Sequence, residues 1–217
     1  MSNISKKNSS VLSAIIVGVA IAVIPATLGY IVSYVDGIRN DRLVFINEQI
    51  EKLYGPLHAL AQANDVTWKE FVATGRAPDW SNPSKEQIMI WRVWMQNVLQ
   101  PINIKIEETI ANNSQLVVGD GLPRVFQTVI AHTESYKALI STWKLDDIDK
   151  METYTSKKEN TTNLPFPDKL DLCVSPIYTA LKKHQIALQN NIFQVFLLDP
   201  VSIPPECNDQ SCAAEKL

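Results

Sequence analysis

The first part of the chain is one long apolar segment. Residues 11–35 contain no charged side chain, with Lys6 and Lys7 before them and Asp36 directly after. At about 1.5 Å per residue, a helix of this length crosses the roughly 30 Å hydrocarbon core of a bilayer. Buried helices of soluble proteins seldom have apolar residues on every face over such a length. The segment predicts one transmembrane helix over residues 11–35, after an N-terminal tail over residues 1–10.

Small side chains recur along this predicted span. Ala14, Gly18, Ala22 and Ala26 are spaced four residues apart and therefore share one face of a helix. Small residues at this spacing let two membrane helices approach closely, although apolar spans are rich in Ala and Gly in general. These four residues are a candidate helix-contact face, which favours a homo-oligomer within the lipid bilayer.

The charges beside the span do not decide its orientation. Lys and Arg close to a span favour the cytoplasmic side of the membrane. Lys6 and Lys7 precede the span, and Arg39 and Arg42 follow it, so the two flanks balance. We predict a single-pass protein of the cell (inner) membrane, with the side of the following domain undecided.

Helical spacing of apolar residues continues through residues 36–198, which we predict to be one helical bundle domain. Apolar positions three and four residues apart predict about four main helices, and no period-2 strand pattern is evident. The predicted fold class is all-α. Expected helix starts are Ser81 or Asn82 for the second helix, Pro123 for the third, and Pro167 with Asp168 for the fourth.

The first of these helices follows the span directly. Its apolar residues run from Leu43 to Leu60, and Gly37 is the one helix breaker between Val35 and Leu53. We therefore expect the membrane helix to continue into this helix. Gly55-Pro56 then predicts a kink or a change of helix near Tyr54, because proline lacks a backbone donor and crowds the preceding turn.

The C-terminal segment has a different composition. Residues 199–217 carry three prolines and then small polar residues, which is typical of a disordered tail. Cys207 and Cys212 in this tail could form a disulfide in an oxidising compartment, or both could be free thiols. Cys173 lies in the pattern of the fourth helix. The sequence leaves the state of these cysteines open.

The charge balance argues against one class of partner. Residues 36–217 hold 18 Lys and Arg against 23 Asp and Glu, so their net charge is −5. A mildly acidic domain is poorly suited to nucleic acid or to anionic lipid headgroups. We predict no nucleic-acid partner.

No reactive motif stands out. His58, His132 and His184 lie on three different predicted helices, and none belongs to an HExxH or ExxH motif. No serine sits in a GxSxG elbow, and no glycine-rich nucleotide loop is present. We predict no catalytic residue, no metal and no cofactor. An enzyme built around His132 and Tyr136, with His58 or His184, is the less favoured hypothesis.

Several short strings occur together in a recognisable order. They are Leu53-Tyr54-Gly55-Pro56-Leu57, Trp91-x-x-Trp94-Met95 leading to Pro101-Ile102-Asn103, His132-x-x-x-Tyr136, Phe166-Pro167 and Leu181-Lys182-x-x-Gln185. In this order they resemble an uncharacterised family of bacterial single-span membrane proteins with an LYGPL motif and a helical domain. The resemblance covers roughly residues 42–188. It implies an all-α, single-pass bacterial membrane protein, and it implies no reaction, cofactor or catalytic residue.

Aromatic residues, a proline and a histidine recur in these strings. His132 and Tyr136 are one helical turn apart, and Trp91 and Trp94 could line an apolar groove. Large side chains on an amphipathic helix are more often core residues, so packing is the favoured interpretation. The candidate pocket or packing motif comprises Tyr54, Pro56, Trp91, Trp94, His132 and Tyr136.

Strong helical patterning without a reactive constellation favours a non-enzymatic protein. We predict a membrane-anchored interaction or scaffold protein with an unknown protein partner. The alternative is a membrane effector, such as a toxin or a defence protein, which acts on the bilayer through oligomerised spans. The same small-residue face motivates this alternative.

Overall fold

The described part of the chain is built from helices. The computed structural model describes residues 3–74, 83–143, 161–162 and 164–208, with residues 3–22 described by their backbone alone. No strand occurs in these ranges. Six α-helices form the body of the protein, and π-helical segments join four of them in pairs, so that there are about four continuous helical runs. The predictions of an all-α fold and of a helical bundle are confirmed.

Six main α-helices follow one another in the described ranges. They are α1 (Asn3–Glu48), α2 (Gly55–Thr74), α3 (Lys85–Trp94), α4 (Gln100–Asn112), α5 (Arg124–Ser141) and α6 (Leu170–Asn190). Two π-helical segments, Gln49–Tyr54 and Met95–Leu99, join α1 to α2 and α3 to α4. Short 3-10 helices occur at Ser114–Leu116, Ile192–Phe196 and Pro205–Cys207.

The chain forms two compact units. The first unit contains residues 1–45 and 185–198, and the second contains residues 46–184 and 199–217.

In the first unit, α1 passes through Pro25 without a break. Every residue from 23 to 34 is exposed, whereas Val35 is only 5 % exposed. The guanidinium group of Arg42 donates a hydrogen bond to the carbonyl oxygen of Val195. This bond holds the 3-10 helix Ile192–Phe196 beside α1.

Within the part of the chain whose side chains are described, no helix is both long enough and apolar enough to span a bilayer. Residues 11–22 of the predicted span lie outside that part.

The expected continuation of the first helix is confirmed, and so is the change of helix near Tyr54. Pro56 has no N–H, and its ring would crowd a carbonyl of the preceding α-helical turn. The chain responds with a wider turn, in which the Gly55 N–H donates to the Ile50 carbonyl, five residues earlier. The helix therefore widens into a π-helical turn before the proline and continues past it.

The same device occurs a second time. Pro101 follows Gln100, whose N–H donates to the carbonyl of Met95, again five residues earlier. The second helical pattern of the sequence therefore consists of α3, a π-helical segment and α4. Each π-helical segment lies directly before a glycine-proline or glutamine-proline pair.

The start of α3 differs from the expected position. Ser84, with extended backbone angles, accepts a hydrogen bond from the Gln87 N–H, and the Gln87 side chain accepts one from the Ser84 N–H. This capping box satisfies two backbone donors that a helix start leaves free. Ser81 and Asn82, the caps expected from the sequence, lie outside the described residues.

The second unit is organised around α4, which packs on both α2 and α5. At the opening of α2, the His58 ring stacks on Tyr178 of α6 with 4.9 Å between the ring centroids. Most of the buried side chains of this unit are apolar, and Leu53, Leu57, Ile106, Phe126 and Val129 are fully buried. Of the apolar residues that predict the first helix, Ile46, Ile50, Leu53 and Leu57 are thus buried in the core.

The structure differs from the predicted disordered tail over residues 199–208. Cys207 is fully buried and forms a disulfide with Cys173 of α6, 34 residues earlier in the chain. The Asn208 side chain accepts a hydrogen bond from the Arg124 N–H. Cys207 therefore pairs with Cys173 and not with Cys212, which belongs to residues 209–217, outside the described residues.

One glycine allows the tail to pack closely. Gly119 has a φ of 95°, in the region that favours glycine, and a Cβ at this position would collide with the side chain of Ile203. The turn before α5 and the tail segment are therefore in direct contact.

Candidate functional site

Ring side chains from three helices form an aromatic cluster in the described part of the second unit. Phe71 of α2 contacts the rings of Trp91 and Trp94 of α3, with centroids 5.4 and 5.6 Å apart. Trp91 lies edge-on to Tyr136 of α5 at 6.3 Å. Met95 and Leu99 are buried in the same cluster. Three helices therefore contribute rings to one packed region.

His132 lies at one end of this cluster. Its ring is 4.8 Å from that of Tyr136 and 5.4 Å from that of Phe166, measured between centroids. The structure thus brings together Trp91, Trp94, His132 and Tyr136, four of the six residues of the predicted motif.

The other two residues of the motif lie at the first π-helical turn. The hydroxyl oxygen of Tyr54 accepts a hydrogen bond from the Val118 N–H at 2.9 Å. Pro56 is half-buried in the first turn of α2. These residues position the helix and the turn around Val118, and they do not form part of the aromatic cluster.

The hydrogen bonds of His132 define its protonation. Its Nδ1 lies 2.6 Å from the Leu164 carbonyl oxygen, which can only accept, so Nδ1 carries the proton. Its Nε2 lies 3.4 Å from Nδ2 of Asn103, which can only donate. Both ring nitrogens are therefore satisfied by a neutral imidazole.

Burial shifts the pKa values of both His132 and Tyr136. It lowers the pKa of His132 from 6.5 to about 4, and the hydrogen bond to Leu164 opposes this only in part. It raises the pKa of Tyr136 to about 12, with a smaller opposing effect from a hydrogen bond to the Thr162 backbone. At neutral pH the imidazole is neutral and the phenol is protonated. The lone pair of His132 is occupied by Asn103, so the ring is poorly placed to act as a general base.

Buried amides surround His132. The Gln100 side chain donates to the Thr133 carbonyl at 2.9 Å, and both Gln100 and Asn103 are buried. The Gln100 Oε1 and Asn103 Oδ1 atoms are buried and accept no hydrogen bond within the described part of the protein. A buried acceptor without a donor costs about 1–3 kcal/mol. These oxygens are therefore places where a small donor, such as a water molecule, would be stabilised.

A second polar arrangement joins α2 to α6. The Ser175 hydroxyl donates to Asp171 Oδ1 at 2.6 Å, and its oxygen lies 2.9 Å from Nδ1 of His58. In a serine nucleophile the hydroxyl donates to the imidazole instead. Here the serine hydroxyl donates its hydrogen bond to the carboxylate, so the three groups connect two helices and do not activate the serine.

An open surface groove is separate from these residues. It has a volume of about 350 Å³ and is lined by Leu60, Lys105, Glu108, Thr109, Asn112 and Asn113. None of the six residues of the predicted motif lines it.

The predicted helix-contact face is described only at one end. Ala26 is exposed, and the side chains of Ala14, Gly18 and Ala22 lie outside the described residues. Self-association through this face stays a prediction. In the described ranges, no group of three or more His, Cys, Asp or Glu side chains is arranged to hold a metal ion.

Sequence reasoning missed the buried amides and the chain of hydrogen bonds at Ser175. A signal for the amides was present, because Gln100 and Asn103 lie on the same face of α4 as the apolar Ile106 and Ile110. A polar residue within an apolar stripe predicts a buried hydrogen bond. No comparable local signal marks Ser175, since its partner His58 is 117 residues away in the sequence.

No protein-family model, no curated protein and no solved structure matches this chain. The resemblance to the bacterial single-span family therefore stays a prediction.

Proposed function

We propose that this protein is a single-span membrane protein whose helical bundle serves as an anchored binding domain. The observation that carries the proposal is the exposure of apolar side chains along α1. The helix includes the whole charge-free segment 11–35, and each of residues 23–34 is exposed. Seven of these are large apolar or tyrosine side chains, namely Val23, Ile24, Leu28, Tyr30, Ile31, Val32 and Tyr34.

Exposure of this kind is unfavourable in water. Each large apolar side chain that is removed from water contributes about 1.5–3 kcal/mol. Contiguous exposed apolar surface on a soluble protein marks a site that another surface covers. A bilayer can bury a helix that has apolar side chains on all faces, because lipid surrounds the whole helix. Tyr30 and Tyr34 then lie at the membrane boundary, where aromatic rings with a polar tip are favoured.

The second unit supplies the binding domain. Its residues form a hydrogen-bonded and disulfide-linked helical core in which His132 and Tyr136 are buried and held by partners. This arrangement supports packing as the role of these residues. A stable helical surface held at a membrane is suited to binding a protein partner, as the sequence predicts.

The disulfide favours one side of the membrane as the location of the bundle. Cys173 and Cys207 are fully buried and paired. Disulfides persist in oxidising compartments and are rare where thiol reductants keep cysteines reduced. We therefore infer that the bundle lies on the oxidising side of the inner membrane. The balanced charges at Lys6, Lys7, Arg39 and Arg42 do not oppose this orientation.

Alkaline carbonate extraction of membranes from cells that make the full chain tests the anchor. The wild-type protein is expected in the membrane pellet. The double variant Val23→Lys, Ile24→Lys should move to the supernatant, because each charge near the centre of a span costs about 2.5–3.5 kcal/mol. Val66→Lys, at an exposed position of α2, is the matched control and should stay in the pellet. Wild-type protein in the supernatant would contradict the anchor.

Chemical crosslinking in intact membranes tests the binding role. Purification of the crosslinked full chain should recover one protein partner in a defined ratio, identified by mass spectrometry. Recovery of neither a partner nor a second copy would contradict the binding role.

A further inference from the structure

A second charge-free segment packs on the membrane-proximal helix. Residues 185–198 contain no charged side chain, and Asp199 follows them directly. Together with residues 1–45 they make up the first compact unit. The charge-free segments 11–35 and 185–198 therefore belong to the same unit.

The end of this segment exposes large apolar side chains. Phe193, Phe196 and Leu197 are 54, 62 and 69 % exposed, while Val195 between them is 6 % exposed. Single exposed apolar residues are ordinary on a protein surface, but three within five positions form a patch. The buried Val195 holds the 3-10 helix in place, and its neighbours present their side chains outward.

The patch lies close to the expected membrane boundary. The Val195 carbonyl accepts a hydrogen bond from Arg42, which is seven residues beyond Val35 in the sequence of α1. Seven residues of α-helix correspond to about 10 Å along the axis. The headgroup layer on each side of the hydrocarbon core is about 5–8 Å thick, and a tilted span would bring Val195 closer to it. Exposed side chains at this height can reach the layer.

We propose that Phe193, Phe196 and Leu197 form a membrane-interface contact, which inserts into the boundary between headgroups and acyl chains of the bilayer that α1 spans. This inference rests on the proposed membrane anchor. Amphipathic segments at this boundary bury apolar side chains about 5–10 Å deep. The segment carries no charge, so the contact does not depend on anionic lipids, and a zwitterionic phosphatidylcholine surface is sufficient.

A second attachment point changes what the anchor does. A single helix can tilt and rotate freely about its axis, whereas contact at a side segment restricts both motions. The 3-10 helix Ile192–Phe196 would thereby set the orientation of the first unit against the membrane surface.

Photocrosslinking of the full chain in phosphatidylcholine vesicles tests the contact. The photoreactive residue p-benzoylphenylalanine replaces Phe196 in one variant, Ile31 of the predicted span in a second, and Val66 in a third. All three positions are exposed, at 62, 52 and 66 %. Circular dichroism and an intact Cys173–Cys207 disulfide verify the folding of each variant.

The expected result is a lipid adduct at positions 196 and 31, with a yield several-fold higher than at position 66. An adduct at 31 with none above the position 66 level at 196 would overturn the interface contact and leave the anchor intact. No lipid adduct at either 31 or 196 would overturn both proposals. Crosslinks from position 196 to a second copy of the chain would overturn the lipid contact in favour of a self-interface.

Discussion

His132 shows how one side chain combines a polar role with a buried position. Its two ring nitrogens have one donor and one acceptor as partners, Asn103 and the Leu164 carbonyl. Neutral imidazole fits this pair, whereas imidazolium would place a second N–H against the Asn103 amide. Burial and hydrogen bonding therefore agree on the neutral form, and they make the stability of the protein depend on pH.

Stability should fall as the pH is lowered from about 6.5 to about 4. The folded state binds a proton at His132 with a pKa of about 4, and the unfolded chain binds it with the ordinary pKa of 6.5. Between these values the unfolded state holds more protons, so acid favours unfolding. The contribution of His132 to the free energy of unfolding is complete above pH 6.5, and about 3 kcal/mol of it is lost by pH 4. Urea denaturation of the purified full chain at several pH values measures the effect.

His132→Gln is the matched control for this titration. Glutamine retains polar atoms at the site but does not titrate, so the variant should lack the His132 contribution to the pH slope. Parallel profiles for the wild type and His132→Gln would show that the buried ring does not titrate as described.

Two helical stretches, α1 to α2 and α3 to α4, each continue past a proline. In each case the helix widens into a π-helical turn directly before the proline, at Gly55-Pro56 and at Gln100-Pro101. The buried polar side chains of Gln49 and Tyr54 belong to the first turn, and Gln100 follows the second. The widened turns therefore also direct polar groups towards the interior, where Gln49 donates to the Leu116 carbonyl.

The first turn requires glycine at position 55. A Cβ there would lie 2.5 Å from the Ile50 carbonyl oxygen, which is a backbone atom and cannot rotate away. We expect Gly55→Ala to destabilise the protein by about 1–3 kcal/mol, as for other overpacked sites. Thermal unfolding in detergent, followed by circular dichroism at 222 nm, measures the change.

Gly37→Ala is the matched control, because Gly37 is also helical and a Cβ there would meet no atom within 4 Å. Alanine normally stabilises a helix relative to glycine by about 0.5–1 kcal/mol. The two substitutions should thus have opposite signs. A stabilising effect of Gly55→Ala would refute the close approach of the Ile50 carbonyl.

The Cys173–Cys207 disulfide links two distant parts of the molecule and bears on its location. It joins α6 to the segment that follows the last residues of the first unit. The segment around it is also held by Asn208 and by the contact between Ile203 and Gly119. Both cysteines are fully buried, and the proposed orientation places their disulfide on the oxidising side of the membrane, where disulfides persist.

Thiol counting in cells tests both the pairing and the side of the membrane. The chain has three cysteines, so a polyethylene-glycol maleimide added after acid quenching and denaturation should label one thiol, Cys212, and label all three after reduction. Cys212→Ser should show no labelling before reduction. Labelling of three thiols in the unreduced wild type would refute the proposed orientation.

The sequence by itself determined the features that depend on local pattern. Apolar residues at helical spacing predicted the all-α class and the main helices, since a helix face repeats every 3.6 residues whatever it packs against. Pro56 after Gly55 predicted the change of helix near Tyr54, because the missing N–H is a property of the residue itself. Composition also predicts a span over the charge-free segment 11–35, and this stays a prediction.

Tertiary structure alone decided which distant residues meet. Cys207 could pair with either of two cysteines, and only the position of residues 199–208 against the bundle places it beside Cys173. Trp91, Trp94, His132 and Tyr136 are gathered by three-dimensional packing, while Tyr54 and Pro56 of the same predicted motif lie at a separate turn. Such contacts depend on how helices pack against one another. The spacing of apolar residues in one helix does not identify the helix that packs on it.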